Sequence, residues 1–431
     1  MAQGLCLTPQ QTAQFRKAEV LAWTGKAGSA RYDPWEPMHP PRTLDYIVAA
    51  NGPFATIQSA VDQAIRAGAR PDGAPYVISI SEGYYTGPVY IPSSAPPMAL
   101  IGAGRDVTTL AAGIDAQMSG DQYRARFGAQ FDQAVPGTRA IFERIAARET
   151  LTTCNTGVLR IEADNVSVSG LTIENLYACD RASVAPKGAE PDAQGRFAQG
   201  QHQAVALHIA GADRVHLHAL HLRSFQDTLY VQSPLPFSSA RTCVEDCIIE
   251  GDVDFIFGQA TAYFDRCTLM TRGERGAMSW VVAPSTNINT RYGFVFHDCD
   301  FTHDGAETGR NGTSFLGRQW FEGVRATPYG PLPHNYACHI GAVSQAQDSS
   351  GTISRATLEA VGKAVVIGSR IGAHIDAQNP WDDWGTAGGP RYRPAQASGS
   401  DFLHNLAAWL DREGLEYAHI DPSDIWLGIA P

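Results

Sequence analysis

Through the middle of the chain, apolar and polar residues alternate in short runs, each closed by Gly, Asn, Asp or Ser. Val166-Ser167-Val168-Ser169-Gly170-Leu171-Thr172-Ile173 and Val215-His216-Leu217-His218-Ala219-Leu220-His221-Leu222 alternate cleanly. Val244 to Ile249, Tyr263 to Leu269 and Val295 to Phe301 are weaker copies. A period of two is that of a strand with one buried face. A small residue recurs at 170, 219, 247, 267 and 299, and the shortest interval, 247 to 267, is close to one coil of a solenoid. Short strands at irregular spacing, each with a small inward residue, predict the rungs of a parallel β-helix with loops of variable length between them. A β-sandwich is the alternative. Long helical periodicity is missing here, which disfavours a doubly wound sheet.

Helical signals stand near the ends. Thr56 can cap a helix whose Ile57, Ala60, Val61, Ala64 and Ile65 share one face before Gly68 stops it. Ser400 precedes Phe402, Leu403, Leu406, Trp409 and Leu410, with Gly414 as the stop. Such helices would cover the open ends of a solenoid, whose edges otherwise expose unpaired backbone. The expected fold is therefore all-β, a solenoid with short terminal helices and inserted loops. The expected organisation is an N-terminal extension over 1–44, a β-helix over 45–375 with insertions at about 111–150 and 180–200, and a C-terminal extension over 376–431 with a helix packing on the β-helix. The first insertion, with Phe127, Phe131, Ile141 and Ile145, is expected to be partly helical.

Composition narrows the function. The 431 residues are 44% hydrophobic, enough for a sizeable core, and only 18% charged, with a formal net charge of −11. That balance argues against a nucleic-acid partner or a polybasic membrane anchor. No apolar run is long enough to span a bilayer. The start, Met1-Ala2-Gln3-Gly4-Leu5-Cys6, lacks the features of a signal peptide, so either the protein stays inside or a signal has been removed. Eight cysteines form no C-x-x-C pair and no His stands at zinc spacing, so no metal site is expected. If rungs stack, Cys247 lies beside Cys267 one coil later and can bond to it without bending the backbone, which leaves Cys243 and Cys299 as further candidates.

The candidate chemistry centres on Gly251-Asp252-Val253-Asp254-Phe255-Ile256-Phe257-Gly258, where two carboxylates sit inside a strand-like apolar segment. An ionised Asp in apolar surroundings costs several kcal/mol unless paired, so it is neutralised, ion-paired or working. Phe225-Gln226-Asp227-Thr228-Leu229-Tyr230 upstream and Leu316-Gly317-Arg318-Gln319-Trp320 downstream add a second acid, an amide, a cation and aromatic walls.

These segments, with Gln203-Ala204-Val205-Ala206-Leu207, resemble the pectin methylesterase (pectinesterase) family in order and content, and the chain resembles a bacterial-type member over roughly 45 to 375. The resemblance implies a right-handed parallel β-helix. It also implies that Asp254 is the nucleophile, Asp227 the general acid and then base, Arg318 the partner of Asp254, and Gln203 and Gln226 the oxyanion donors. Tyr230, Val253, Phe257 and Trp320 are implied to bind the sugar, and Cys247 with Cys267 to form a disulfide. The implied substrate is methylesterified polygalacturonate (pectin). No cofactor is required, and the protein is expected to be a monomer, secreted or in the bacterial cell envelope. Two departures stand out: Gln319 replaces the family's usual Pro, and Phe225 a frequent Tyr. The segment Asn379-Pro380-Trp381-Asp382-Asp383-Trp384 and the residues after it do not match the common ending.

The chemistry is consistent with the residue types. A carboxylate can attack an ester carbonyl, a nearby Arg favours its charged form, and a second carboxyl close by keeps its proton. Each residue also has a structural reading. Asp252 reads as a turn cap or the partner of a base, Asp254 and Arg318 as a buried ion pair, Gln203 as a backbone partner, and Tyr230 and Trp320 as core. His216 and His218 share a face that reads as solvated, without a matching carboxylate for a metal. Strict alternation would also send Gln226 and Asp227 to opposite faces, so a strand end or bend is expected there. The rival functions are an envelope esterase or thioesterase on a non-pectin substrate, and a non-catalytic β-helix that binds acidic polysaccharide.

Overall fold

The computed structural model describes residues 6–26, 31–37, 43–176, 203–235, 238–321, 339–342, 352–385, 391–399 and 424–431, with 407, 411, 413 and 414. The alternating runs form three parallel sheets that the chain visits in turn, so the fold is a parallel β-helix. The first sheet has ten strands, from Tyr46–Val48 to Leu427–Ala430. The second has eight, from Gly83–Thr86 to Arg370–Ile371, and the third has eight, from Val89–Ile91 to Trp381–Asp382. One coil is Arg241–Glu245, Ile248–Gly251 and Val253–Gly258, and the next is Thr261–Asp265, Thr268–Thr271 and Trp280–Pro284. Inward residues repeat from coil to coil. Phe264 stacks on Phe296 at 4.5 Å within a continuous core that runs from Val48 to Ile429. Each such side chain contributes roughly 1.5–3 kcal/mol by leaving water.

The turn from the first sheet to the second explains the recurring small residues and corrects their alignment. The residue directly after the strand has positive φ in six coils: Gly170, Ala219, Asp246, Arg266, Asp298 and Gly368. Only Gly170 and Gly368 adopt that conformation without a steric penalty, which for the other four is about 1–2 kcal/mol each. Cys247 pairs in register with Leu220, because His221 is paired with Ile248. The cysteines thus stand one residue later than Gly170 and Ala219, and they point into the core.

Cys247 and Cys267 do not form the expected disulfide; both are free, buried thiols, as is Cys299. Each instead donates to a carbonyl, Cys247 Sγ to Glu245 O beside its own turn at 3.2 Å and Cys267 Sγ to Val244 O on the preceding coil at 3.4 Å. Burial pushes the Cys267 thiol well above its ordinary range, so it stays protonated. Cys179 and Cys338 lie outside the described residues.

The helix Ile57–Ala67 covers the first coil, with Thr56 accepting from Ser59 N and Gly68 closing it at φ 75°. Its Asp62 and Gln58 hold the first insertion through Thr138 and Val135. That insertion is helical over Gly120–Phe127 and Pro136–Ala146, and Phe131 between them stacks on Tyr90 at 5.3 Å. The insertion at 180–200 lies outside the described residues, as does nearly all of the expected helix over 402–410. No described helix is long and apolar enough to cross a membrane.

The N-terminal segment lies across the outer face of the first sheet. Leu7, Phe15, Val20 and Leu21 pack on Cys243, Tyr263, Val295 and Val365, and Leu7 N donates to Ile429 O at 2.9 Å. This cover corrects the reading of the histidines. His216 is buried rather than solvated, with Nε2 2.7 Å from Glu245 Oε2. Lys17, from the covering segment, pairs with the same carboxylate.

Candidate active site

The site lies on the outer side of the third sheet, where successive coils bring distant segments together. Gly251 and Gly258 bracket the central strand for steric reasons. A Cβ on Gly251 would lie 2.2 Å from Phe255 Cβ, and one on Gly258 would lie 2.1 Å from Val231 O. Between them the strand is irregular: Asp254 has φ 50°, and the register with the next coil shifts between Val253 and Ile256. Asp227 has φ 68° in the turn between the strands His221–Arg223 and Leu229–Gln232. These left-handed residues are the expected bend. They break the two-residue alternation, so Asp227 need not face away from Gln226.

The two aspartates are in different electrostatic states. Asp254, nearly buried, accepts both arms of one guanidinium: Arg318 Nε to Oδ1 at 2.9 Å and Arg318 Nη2 to Oδ2 at 2.6 Å. A bidentate charge-assisted pair of this kind fixes position as well as charge. Asp227 is likewise nearly buried. Burial, and then the negative charge of Asp254, push its carboxyl well above the usual range, against the opposing pull of Arg318 and a hydrogen bond from Thr153. The two raising effects favour the protonated form of Asp227. Asp252 is neutralised separately by Arg275, whose Nε and Nη2 donate to it at 2.5 and 2.7 Å, and it also accepts from Val253 N at 2.7 Å. That matches the structural reading of Asp252.

Gln203 and Gln226 are bridged in parallel on neighbouring coils, and Ala204 N donates to Gln226 O at 3.1 Å. Both side chains are partly exposed, and Gln203 Oε1 meets no partner among the described residues. Tyr230 and Phe257 stack at 4.2 Å, His208 stacks on Tyr230 at 4.3 Å, and Trp320 meets Phe257 edge-on at 5.8 Å. Tyr230 and Phe257 are only 5% and 3% exposed, packed on each other and among Val205, Ala283 and His208, whereas Trp320 and Val253 are partly open. Burial and the charge of Arg160 keep His208 neutral.

Several neighbours escaped the sequence reading. Thr153 reaches Asp227 from the turn Thr153–Asn155. Trp280 lies 4.1 Å from the Arg318 guanidinium, and Trp384 lies 5.0 Å from it. Arg272 and Arg275 both lie over the ring of Phe225, at 3.7 and 4.9 Å. No spacing rule points to Trp280 or Thr153. Trp384 stood in a segment noted only for failing to match.

A carboxyl raised by burial, an Arg-held carboxylate and two amides thus stand beside an aromatic wall on the flank of a solenoid, the residue types of a hydrolytic site. Comparison with known proteins makes the class specific. A family model described as Pectinesterase matches residues 194–327. Over 396 residues the chain is 30% identical to Pectinesterase B of Dickeya dadantii, covering 87% of this chain and 81% of that one. The structure of rice weevil pectin methyl esterase aligns with a TM-score of 0.70 at 26% identity, covering 92% of this chain and 91% of that one. Escherichia coli YbhC, named a putative acyl-CoA thioester hydrolase, is 28% identical over 308 residues, 68% of this chain and 66% of its own. The chain belongs to the pectinesterase family, and is thus a carboxylic ester hydrolase.

Proposed function

We propose that the protein hydrolyses methyl esters of galacturonosyl residues in pectin, giving pectate and methanol, through an acyl-enzyme on Asp254. The observation that carries this reading is the unequal pair: Asp254 in the two-armed grip of Arg318, and Asp227 beside it with its carboxyl pushed well above the usual range by burial and by that neighbour. An Asp254 oxygen attacks the ester carbonyl, and the amide N–H groups of Gln203 and Gln226 receive the oxyanion. Collapse of the tetrahedral adduct breaks the bond to methoxide, which leaves as methanol with the Asp227 proton. Water then attacks the anhydride and gives its proton to the Asp227 carboxylate. The acyl bond to Asp254 breaks, the sugar keeps a free carboxyl group, and both aspartates return to their starting states. Trp320 and Val253 offer the open surface for the sugar, with Tyr230 and Phe257 as the rigid layer behind them.

The acidic chain bears on the substrate. De-esterified pectin is anionic and repelled by a protein of net charge −11, so highly methylated pectin is the preferred form at low salt. The proposed location is outside the cell or in the envelope, where such a polymer is met, and the proposed state is monomeric. The direct test is release of methanol from methylated pectin by the purified protein, alongside hydrolysis of an acyl thioester, the chemistry that the name of YbhC indicates. Thioester cleavage without methanol would replace this reading.

A further inference from the structure

The strand Trp381–Asp382 and the residues after it belong to the segment that the sequence left without a role, yet they close around the arginine of the site. Arg318 pairs in parallel register with Asp382. Asp382 Oδ1 is held by Asp383 N at 2.9 Å, which turns Oδ2 toward Trp280, whose Nε1 donates to it at 2.9 Å. Trp280 is 7% exposed, sits opposite Val253 on the neighbouring coil, and stacks on Phe315 at 6.1 Å. Its indole presents a face 4.1 Å from the Arg318 guanidinium carbon. Trp384 lies 5.0 Å away, and Gly385 O accepts from Arg318 Nη1 at 3.4 Å.

We propose that Asp382 is a positioning residue for ester hydrolysis: its carboxylate fixes the Trp280 indole, which fixes the plane of Arg318 and so the direction in which Asp254 presents its oxygen. This rests on the reading of Asp254 as nucleophile. The physical basis is that a cation over an indole face gains about 0.5–2 kcal/mol, but an indole free to rotate gives the guanidinium no preferred plane. An N–H bonded to a carboxylate removes that freedom. A bidentate guanidinium–carboxylate pair favours a shared plane, so an orientation imposed on Arg318 by Trp280 is passed on to the Asp254 carboxylate. Beyond the backbone pairing of the two strands, the Asp382 carboxylate makes no hydrogen bond to Asp254 or Arg318 among the described residues, and it reaches the guanidinium through the indole. The effect belongs to the chemical step, since nothing in the relay presents a surface to the sugar.

The test is a double-mutant cycle on methanol release, using Asp382→Ala, Trp280→Phe and the pair together. Trp280→Phe keeps an aromatic face and deletes the N–H. Each single variant should lower kcat about tenfold with KM changed less than about twofold, because a small misplacement of a reacting group is costly while ground-state binding is untouched. The pair should be no worse than either single, because one link is cut twice. The inference is overturned if kcat stays at the wild-type level, if the loss appears in KM, or if the two losses multiply. Should Asp382→Ala fail to fold, Trp280→Phe alone decides on the same kcat-against-KM criterion. Wild-type protein that releases no methanol overturns the reading beneath and this inference with it. Normal wild-type release with an unaffected cycle overturns this inference alone.

Discussion

Two buried carboxylate clusters occupy different flanks of the same solenoid, and they solve the problem of buried charge in opposite ways. On the first sheet, Glu245 is met by His216 and by Lys17 from the covering N-terminal segment. The His216 hydrogen bond, then Lys17, outweigh burial and bring its carboxyl down to about 2. On the third sheet, Arg318 gives both its arms to Asp254, and Asp227 is left with a threonine hydroxyl and a proton. The first cluster is paired to saturation and joins two parts of the chain. The second is short of positive charge, and in the proposed mechanism that shortage leaves Asp227 the proton it donates. Buried charge signals function here through its imbalance, since burial is common to both clusters.

The contrast can be tested by removing charge on either side. The largest effect is expected for Asp254→Asn, which should lower methanol release by about 10⁴-fold or more with the fold intact, as loss of a nucleophile does. Full activity in that variant removes the nucleophile assignment. Asp227→Asn should cost about 10²- to 10⁴-fold through loss of the acid and base. It should also stabilise the fold, in a pH-dependent way. The folded Asp227 carboxyl is raised, so its contribution to stability is fully present below the unfolded value of about 3.9 and is lost as pH rises toward the folded one. The advantage of the variant in thermal unfolding should therefore grow with pH above about 4, and a constant advantage would contradict the protonated state. Gln226→Ala should lower kcat about 100- to 1000-fold, with a lesser effect on KM, if its amide holds the oxyanion.

The smallest effect belongs to the paired cluster. Lys17→Met should leave methanol release unchanged and cost about 1 kcal/mol of stability near neutral pH. Because the Glu245 carboxyl is lowered when folded, its stabilisation is present above its ordinary value of 4.5 and fades as pH falls through about 2. Wild type and Lys17→Met should thus converge in acid. Divergence there, or a loss of activity, would mean that the two clusters are coupled.

How far the sequence carries can be judged from particular residues. The rungs were legible because an inward position repeats every second residue, and the cap at Thr56 because a hydroxyl at a helix start has a definite partner. The candidate site was legible as three short segments, since charged and amide groups are rare in strand-like surroundings. The cover over His216 was not, because alternation tells which side of a sheet a residue faces and nothing about what lies on it. The turn alignment slipped by one residue, since positive φ is visible in sequence at Gly170 but not at Arg266 or Asp298. Free thiols at Cys247 and Cys267 show that stacking gives proximity without dictating a bond. Trp280 and Asp382 were illegible for a plainer reason: they are 102 residues apart and meet across the coil that carries Phe315–Arg318.

The coils have a consequence for how such a site tolerates change. Asp254 and Arg318 are 64 residues apart in the chain, yet only one strand, Trp280–Pro284, separates theirs in the sheet. The gap is about two steps of 4.8 Å, whatever the lengths of the loops between them. The third sheet works as a ruler with one mark per coil. Segments leaving the other corners can lengthen, shorten or change composition without moving a mark, so the rim can be remodelled for a new polymer while the reacting atoms keep their spacing.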